Sequence, residues 1–446
     1  MNKRNLFSFV WLLALGTVSL PAQTKQAKKI GDFIESTSYN EHKRGAERTL
    51  QYYPEGDDFV CINGKNRFTR ALYGSWSPFR LETSDRPVFA AYDKRNSKHI
   101  RFLLQGRGLS VALDSIEFCE ARYTAGRRTY LLKDAALGKG TLSVSVLAFP
   151  DADGAVWKFS AKDLAEDMVL RCFISEIRAK KLSRNGDMGA DPPGCFEAPE
   201  KPQKQKEYDL PLTDEVYLVL ENLDLKLVSL DEGRRLYQKA EDARKTLASR
   251  IRFTTPDPYF NTLGGALAVA ADGIWDGQVW LHGAVGWRMP LSGWRAAYTG
   301  DALGWHDRAR KHFDAYAASQ VTDVPNTIPH PAQDSALHLA RSVKKWGTPQ
   351  YSNGYICRNP RRNNQMHHYD MNLCYIDELL WHFNWTGDLG YARQMWPVIT
   401  RHLAWEKLNY DPDNDGLYDA YACIWASDAL YYNSGKGETF PAGNGQ

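Results

Sequence analysis

The chain has 446 residues, a formal net charge of +3, 43% hydrophobic residues and 12% aromatic residues. That length allows two or three domains of about 150 residues each, and the apolar content excludes a disordered polymer. The near-balanced charge gives no electrostatic basis for binding nucleic acid or an anionic membrane surface. Fourteen Trp and 23 Tyr are many for this length. Most belong in a large core; others suit a sugar-binding cleft, where a ring face stacks on the C–H face of a pyranose.

The first 22 residues have the form of a secretory signal. Lys3 and Arg4 make a basic start, Leu6 to Val18 an apolar core, and Ser19 to Ala22 a small-residue exit. The core is shorter than the roughly 20 apolar residues of a membrane-spanning helix. Cleavage is expected near Ala22, with the mature protein periplasmic or secreted. No Cys follows the core, so a lipid anchor is not expected. The seven Cys (61, 119, 172, 195, 357, 374 and 423) are scattered without a CxxC pair. Export permits disulfides, but an odd count leaves a thiol unpaired. The spacing gives no zinc or redox motif, and the residues read as small buried hydrophobes.

Residues 23–56 are polar. From 57 to 230 short alternating segments rich in β-branched and aromatic residues are separated by Gly and Asp turns, the pattern of an antiparallel β-sandwich. Asn63-Gly64 between two such segments predicts a tight hairpin, since both residues tolerate positive φ. Residues 178–213, rich in Lys, Pro and Gly, predict an inserted flexible loop. A charged linker helix is expected within 231–255.

Residues 256–446 read as helical. Asp257 is placed to cap a helix with Pro258 at its first position, and Leu263, Leu267 and Ala270 predict its buried side. A Gly/Trp loop and a second long helix follow, then a short helix around Ala336–Lys345. Next, Tyr369, Leu373, Ile376, Leu380 and Phe383 fall at spacings of three and four, which predicts one apolar helix face. The helix breaks between Trp385 and Gly387, and Asp388 is placed to cap the next. In that helix Met395, Val398, Ile399, Leu403 and Trp405 continue the period, with Pro397 expected to kink it. An acidic turn, Asp411 to Gly416, stops it and leads into the loop Cys423 to Asp428.

Taken in order, Gly387-Asp388, Trp396-Pro397, Asp411-Pro412-Asp413-Asn414-Asp415-Gly416 and Ser427-Asp428 resemble the six-hairpin glycosidases: processing α-glucosidase I, bile-acid β-glucosidase, trehalase and their relatives. The resemblance covers roughly the C-terminal half. It implies a fold of β then α, an N-terminal antiparallel β-sandwich followed by an incomplete (α/α)6 toroid. Counted from Pro258, about half of the implied hairpins are present, so the chain is expected to be a fragment of a longer protein or to end at a truncated reading frame.

The resemblance also implies a site. Asp428 takes the position of the general acid, with Trp425 as a low-polarity wall that raises a carboxyl pKa; Glu438 is the fallback. The competing reading makes Asp428 a helix cap. The second carboxylate belongs to a later hairpin. Trp287, Arg288, Trp294 and Arg295 occupy positions of substrate contact. A cation at Arg295, where many relatives have Asp, suits an acidic sugar; pairing with Asp276 or Asp301 is the structural alternative. His367 and His368 could line the same rim, but adjacent residues do not share a helix face, so a metal pair is not expected. The acidic turn has Ala422 where a calcium loop needs its Glu, so no metal or other cofactor is expected.

The function so implied is acid-assisted hydrolysis of a glycosidic bond in an oligo- or polysaccharide. The alternatives are a sugar phosphorylase or polysaccharide lyase on the same toroid, or a non-catalytic glycan-binding protein. Export has a direct check: N-terminal sequencing of the mature protein should begin near Gln23. Soluble cytoplasmic protein with Met1 intact would contradict it.

Overall fold

The computed structural model describes residues 52–65, 68–74, 76–93, 97–106, 108–164, 167–177, 201–283, 288–293, 296–322, 353–357, 359–360, 370–411 and 414–417. All of them lie in one compact unit. The strands are β1 Tyr53–Glu55, β2 Asp58–Ile62, β3 Phe68–Tyr73, β4 Arg80–Ser84, β5 Phe89–Tyr92, β6 Ser97–Gly106, β7 Leu109–Ala112, β8 Phe118–Thr124, β9 Arg127–Lys133, β10 Thr141–Ala148, β11 Gly154–Lys162, β12 Val169–Ile177, β13 Gln203–Pro211, β14 Val216–Glu221 and β15 Asp224–Leu227. The helices are α1 Leu230–Ala248, α2 Pro258–Asn261, α3 Leu263–Gly273, α4 Ala296–Ala302, α5 His306–Ala317, α6 Asp370–Thr386 and α7 Leu389–Tyr410.

The strands form two antiparallel sheets. The larger runs β1-β2-β8-β9-β10-β11-β14-β15; the smaller runs β13-β12-β6-β5-β4-β3, with β7 added to β6. Along β8, β9 and β10 every second residue is buried, as expected when one face of a strand meets a core. The two inner faces interdigitate through aromatic edges. Phe89 of β5 meets Trp157 of β11 at 5.4 Å and Phe102 of β6 meets Phe159 of β11 at 5.1 Å, both T-shaped.

One buried ion pair joins the sheets. Asp85, just after β4, accepts from Arg128 of β9 at 2.9 Å, from the Thr69 hydroxyl at 2.6 Å and from the Tyr52 hydroxyl. Arg128 also donates to the Ser84 carbonyl at 3.2 Å. Burial, then the Asp85 carboxylate, pushes the Tyr52 hydroxyl up to about 12.

Two β expectations are corrected. Asn63 does have positive φ, at 49°, but β2 and β3 are not a hairpin. They belong to different sheets, β2 pairing with β8 and β3 with β4. Asn63 turns the chain between layers, its amide donating to the Cys119 carbonyl and its side chain accepting from the Cys119 amide. Within the expected loop 178–213, Gln203–Pro211 is a strand, β13, whose polar side chains face solvent at the sheet edge. Residues 178–200 lie outside the described set. Cys61, Cys119, Cys172 and Cys357 are buried thiols.

Helix α1 begins at the cap Ser229 and lays Leu236, Tyr237 and Ala240 on Leu147, Val156, Tyr217 and Val219 of the larger sheet's outer face. Asp257 caps α2 as expected, its side chain accepting from the Tyr259 amide. Helix α3 buries Gly264, Ala268, Val269 and Ala271, whereas Leu267 is 49% exposed, contrary to expectation. The reason is close approach. A Cβ on Gly264 would lie 2.7 Å from the Ile251 carbonyl and one on Gly265 2.9 Å from Ala125 Cβ, so only a small-residue face fits there. The expected second long helix is two, α4 and α5. Ala336–Lys345 lies outside the described residues, and no described helix is long and apolar enough to cross a membrane.

Replacing Asp85 with Ala leaves Arg128 charged and unpaired in the core. Urea unfolding should show a loss of about 3–5 kcal/mol. A change below about 1 kcal/mol, the scale of exposed pairs, would show that the pair is not buried in solution.

Candidate functional site

Among the described residues, helices α4 to α7 form two hairpins with the same sense. Helices α4 and α5 are joined by residues 303–305, and α6 and α7 by Gly387 and Asp388 alone. Gly387, at φ 62°, ends α6, and the Asp388 carboxylate caps α7 by accepting from the Tyr391 amide at 2.9 Å. Tyr298 and Asp301 of α4 contact Asp377 and His382 of α6 in that order, so these helices run parallel. Asp314 of α5 meets Tyr391 of α7, and Gln320 just beyond α5 meets Val398 and Arg401, so that pair is parallel too. The short turns therefore share one end. The long connections 274–295 and 318–369, and the chain beyond α7, issue from the other.

At the short-turn end Asp301 receives His306 Nδ1 at 2.7 Å and His382 Nδ1 at 2.9 Å. This buried carboxylate, considered above as a partner for Arg295, ties three helices together.

A polar network stitches the long-loop end. Gln320 donates to the Gly354 and Val398 carbonyls at 2.9 Å and accepts from Arg401 at 2.8 Å. The Ile356 amide donates to Asn372 Oδ1 at 2.6 Å, anchoring residues 353–357 on the start of α6. Gly354 sits at φ 104°, where an added Cβ would lie 2.5 Å from the Arg401 carbonyl, so only Gly allows the segment to lie this close to α7. Beneath it, His402 Nδ1 lies 3.3 Å from the Gly354 carbonyl and His402 Nε2 lies 2.6 Å from Glu406 Oε1, both side chains fully buried.

The acidic turn leaves α7 just beyond this network. Asp411 accepts from the Gly416 amide at 3.3 Å and Asp415 from the Leu417 amide at 2.7 Å, with Asn414 and Gly416 at positive φ. The Asp415 contact, two residues on, is an Asx turn. Among the described residues no cluster of three metal-ligating side chains occurs.

Of the expected site residues, Arg288 is described. It donates to the Gly273 carbonyl at 3.0 Å and the Trp76 carbonyl at 2.6 Å, and burial pushes its pKa down. The structure thus uses Arg288 to brace the β3–β4 connection against the end of α3. Asp428, Trp425, Trp287, Trp294, Arg295, His367, His368 and the fallback Glu438 lie outside the described residues. Gln320, Asn372, His402 and Glu406 carry no motif, and single polar residues in helical segments gave no signal for their network.

Leu380 and Leu403, expected on buried faces, are 43% and 42% exposed. The buried side of α6 is Asn372, Tyr375, Ile376, Glu378, Leu379 and His382, and that of α7 is Tyr391, Met395, Ile399, His402, Trp405 and Glu406. Polar members paired within the network displace the stripe by about one position.

A family model described as a domain of unknown function, DUF4450, matches residues 96–235, from the start of β6 into α1. No curated protein matches the chain. Among solved structures the chain is similar to a bacterial glucoamylase complexed with acarbose, at 9% identity and a TM-score of 0.39. The match covers 73% of this chain and spans 59% of that protein's length.

His312 of α5 fixes the loop that follows α3. Its Nδ1 accepts from the Trp280 amide at 3.2 Å and its Nε2 faces the Ser292 carbonyl at 3.4 Å, which requires the neutral ring. Burial outweighs the Ser292 and Asp276 contributions and lowers its pKa to about 4. His99 of β6 is also lowered to about 4, by burial and then Arg101. In the unfolded chain both protonate near 6.5. Stability is therefore complete above that pH, falls as the pH drops from 6.5 to about 4 while only the unfolded state gains protons, and then levels for these groups. Replacing His312 with Gln should flatten that slope by up to about 1.4 kcal/mol per pH unit. An unchanged slope would contradict the neutral, buried ring.

Proposed function

We propose that this chain is part of an exported glycoside hydrolase of the six-hairpin type, acting on an oligo- or polysaccharide. The observation that carries the reading is the pair of like-oriented helical hairpins, the second ending in the acidic turn that leads to Ser427-Asp428. In this reading residues 57–230, with β1 added at the edge, form the sandwich, 231–255 the linker and 256–446 the first part of an (α/α)6 toroid. The long-loop end of the hairpins is the substrate rim, and residues 353–357 are its braced floor.

Asp428 donates the proton to the leaving oxygen, because an alkoxide leaving group needs protonation as the glycosidic bond breaks. Trp425 lowers the local polarity and keeps that carboxyl protonated. Trp287, Trp294, Arg295, His367 and His368 contact the glycan, while Arg288 holds the loop that carries Trp287. A second carboxylate on a further hairpin completes the chemistry.

Asp428→Asn in the protein carrying this chain should keep the fold and lower turnover by about 10²–10⁴-fold. The loss should shrink for aryl glycosides whose leaving group departs without protonation. Equal loss on both substrate types, or full activity, would remove Asp428 from the mechanism.

A further inference from the structure

The outer face of the larger sheet is not uniform. On one side α1 covers it with apolar contacts; beside that seam lies an open hollow of about 300 Å³ floored by β9, β10 and β11. Strand register explains the hollow. Ser143 stands directly opposite Ser160, and Ser145 stands between Thr129 and Lys158, so small hydroxyl side chains occupy adjacent positions on one face. A sheet centre would ordinarily carry bulkier β-branched residues at such positions. Tyr237 of α1 closes the wall, its hydroxyl 2.7 Å from Ser145 Oγ.

The charge around the hollow favours an anion. Lys158 shares Glu215 with Arg234, at 2.9 and 2.7 Å. Arg127 shares Glu241 with Arg244, at 3.0 and 2.7 Å, and Lys245 lies 3.8 Å from the same carboxylate. Each rim carboxylate is thus outnumbered by cations. Arg127 spends its other terminal nitrogen on Thr124, while its Nε–H is buried without a partner among the described residues.

We propose that this hollow binds a monosaccharide-sized polyol carrying one oxyanion, such as a uronic acid or a sugar sulfate. The hydroxyl floor donates to and accepts from the polyol, and Arg127 and Lys158 receive the anionic group. The volume is at the small end of ligand sites, which run from about 300 to 1,000 Å³. The site is built wholly from the sheet and α1, separate from the helical hairpins, so it stands whether or not Asp428 is an acid catalyst.

The test is calorimetric titration of the full chain with D-glucuronate, D-glucose and inorganic sulfate at millimolar concentration. Glucuronate should bind saturably, with glucose and sulfate each weaker by about tenfold or more, the value of one lost charge-assisted or polyol contact set. A Ser143→Val, Ser160→Val double variant fills the floor with residues suited to a strand and should abolish binding at an unchanged melting temperature. Lys158→Gln should weaken glucuronate at least about fivefold and leave glucose unchanged, and it decides the matter if the double variant does not fold. No glucuronate binding, glucose binding as well as glucuronate, sulfate binding as well as glucuronate, or no effect of Lys158→Gln would each overturn the proposal.

Discussion

The arrangement of sheets and helices turns on the guanidinium of Arg308. It donates to Asp272 at 2.7 Å and lies over three indoles, Trp305 at 4.3 Å, Trp76 at 5.2 Å and Trp275 at 5.6 Å. Those rings come from the α4–α5 turn, the β3–β4 connection and the loop after α3, so one side chain gathers three segments distant in sequence. Arg288 adds two bonds to backbone carbonyls at the same junction, and Arg250 also lies over Trp305, at 4.9 Å. A planar, weakly hydrated cation can stack and donate at once, whereas a lysine would offer a single hydrated charge. The junction fixes where the first hairpin begins relative to the sheets.

From there the second hairpin packs on the first. Phe313 of α5 meets Tyr375 and His382 of α6, and Tyr391 of α7 meets His382 and Phe383, a continuous ring stack between the two hairpins. The buried polar groups beside it (Asp301 on His382 of α6, Gln320 on the Gly354 and Val398 carbonyls) favour one register, because a slipped helix would strand each of them without a partner. The far side of the second hairpin keeps Trp381 51%, Trp385 56% and Trp396 59% exposed. In the proposed toroid that is the face on which the next hairpin packs.

Features set by local chemistry were legible in the sequence. Asp257 and Asp388 cap their helices because a carboxylate before a helix start satisfies its free amides, and alternation in β8 to β10 reports a single buried face. Features set by distant partners were not. Asn63-Gly64 has hairpin chemistry, yet the chain crosses between sheets there because Asn63 bonds to Cys119. Leu267, Leu380 and Leu403 carry the helical period but lose the buried side to Gly, Ala, His and Asn, whose neighbours come from elsewhere in the chain. Strand β13 hides in a Lys-rich segment, since an edge strand needs one paired side and tolerates charge on the other. The hollow on the larger sheet depends on the register of three strands, which no single segment encodes.

The central claim is that the protein carrying this chain breaks glycosidic bonds. Its most direct test is release of new reducing ends from a panel of neutral, uronate-containing and sulfated polysaccharides, followed by NMR of the first anomer formed. The account predicts catalytic release from at least one polysaccharide, with a single anomer at early times, since two carboxylates on fixed hairpins enforce one stereochemical course. Binding to a polysaccharide with no reducing end released from any member of the panel would contradict it and leave a glycan-binding protein in its place.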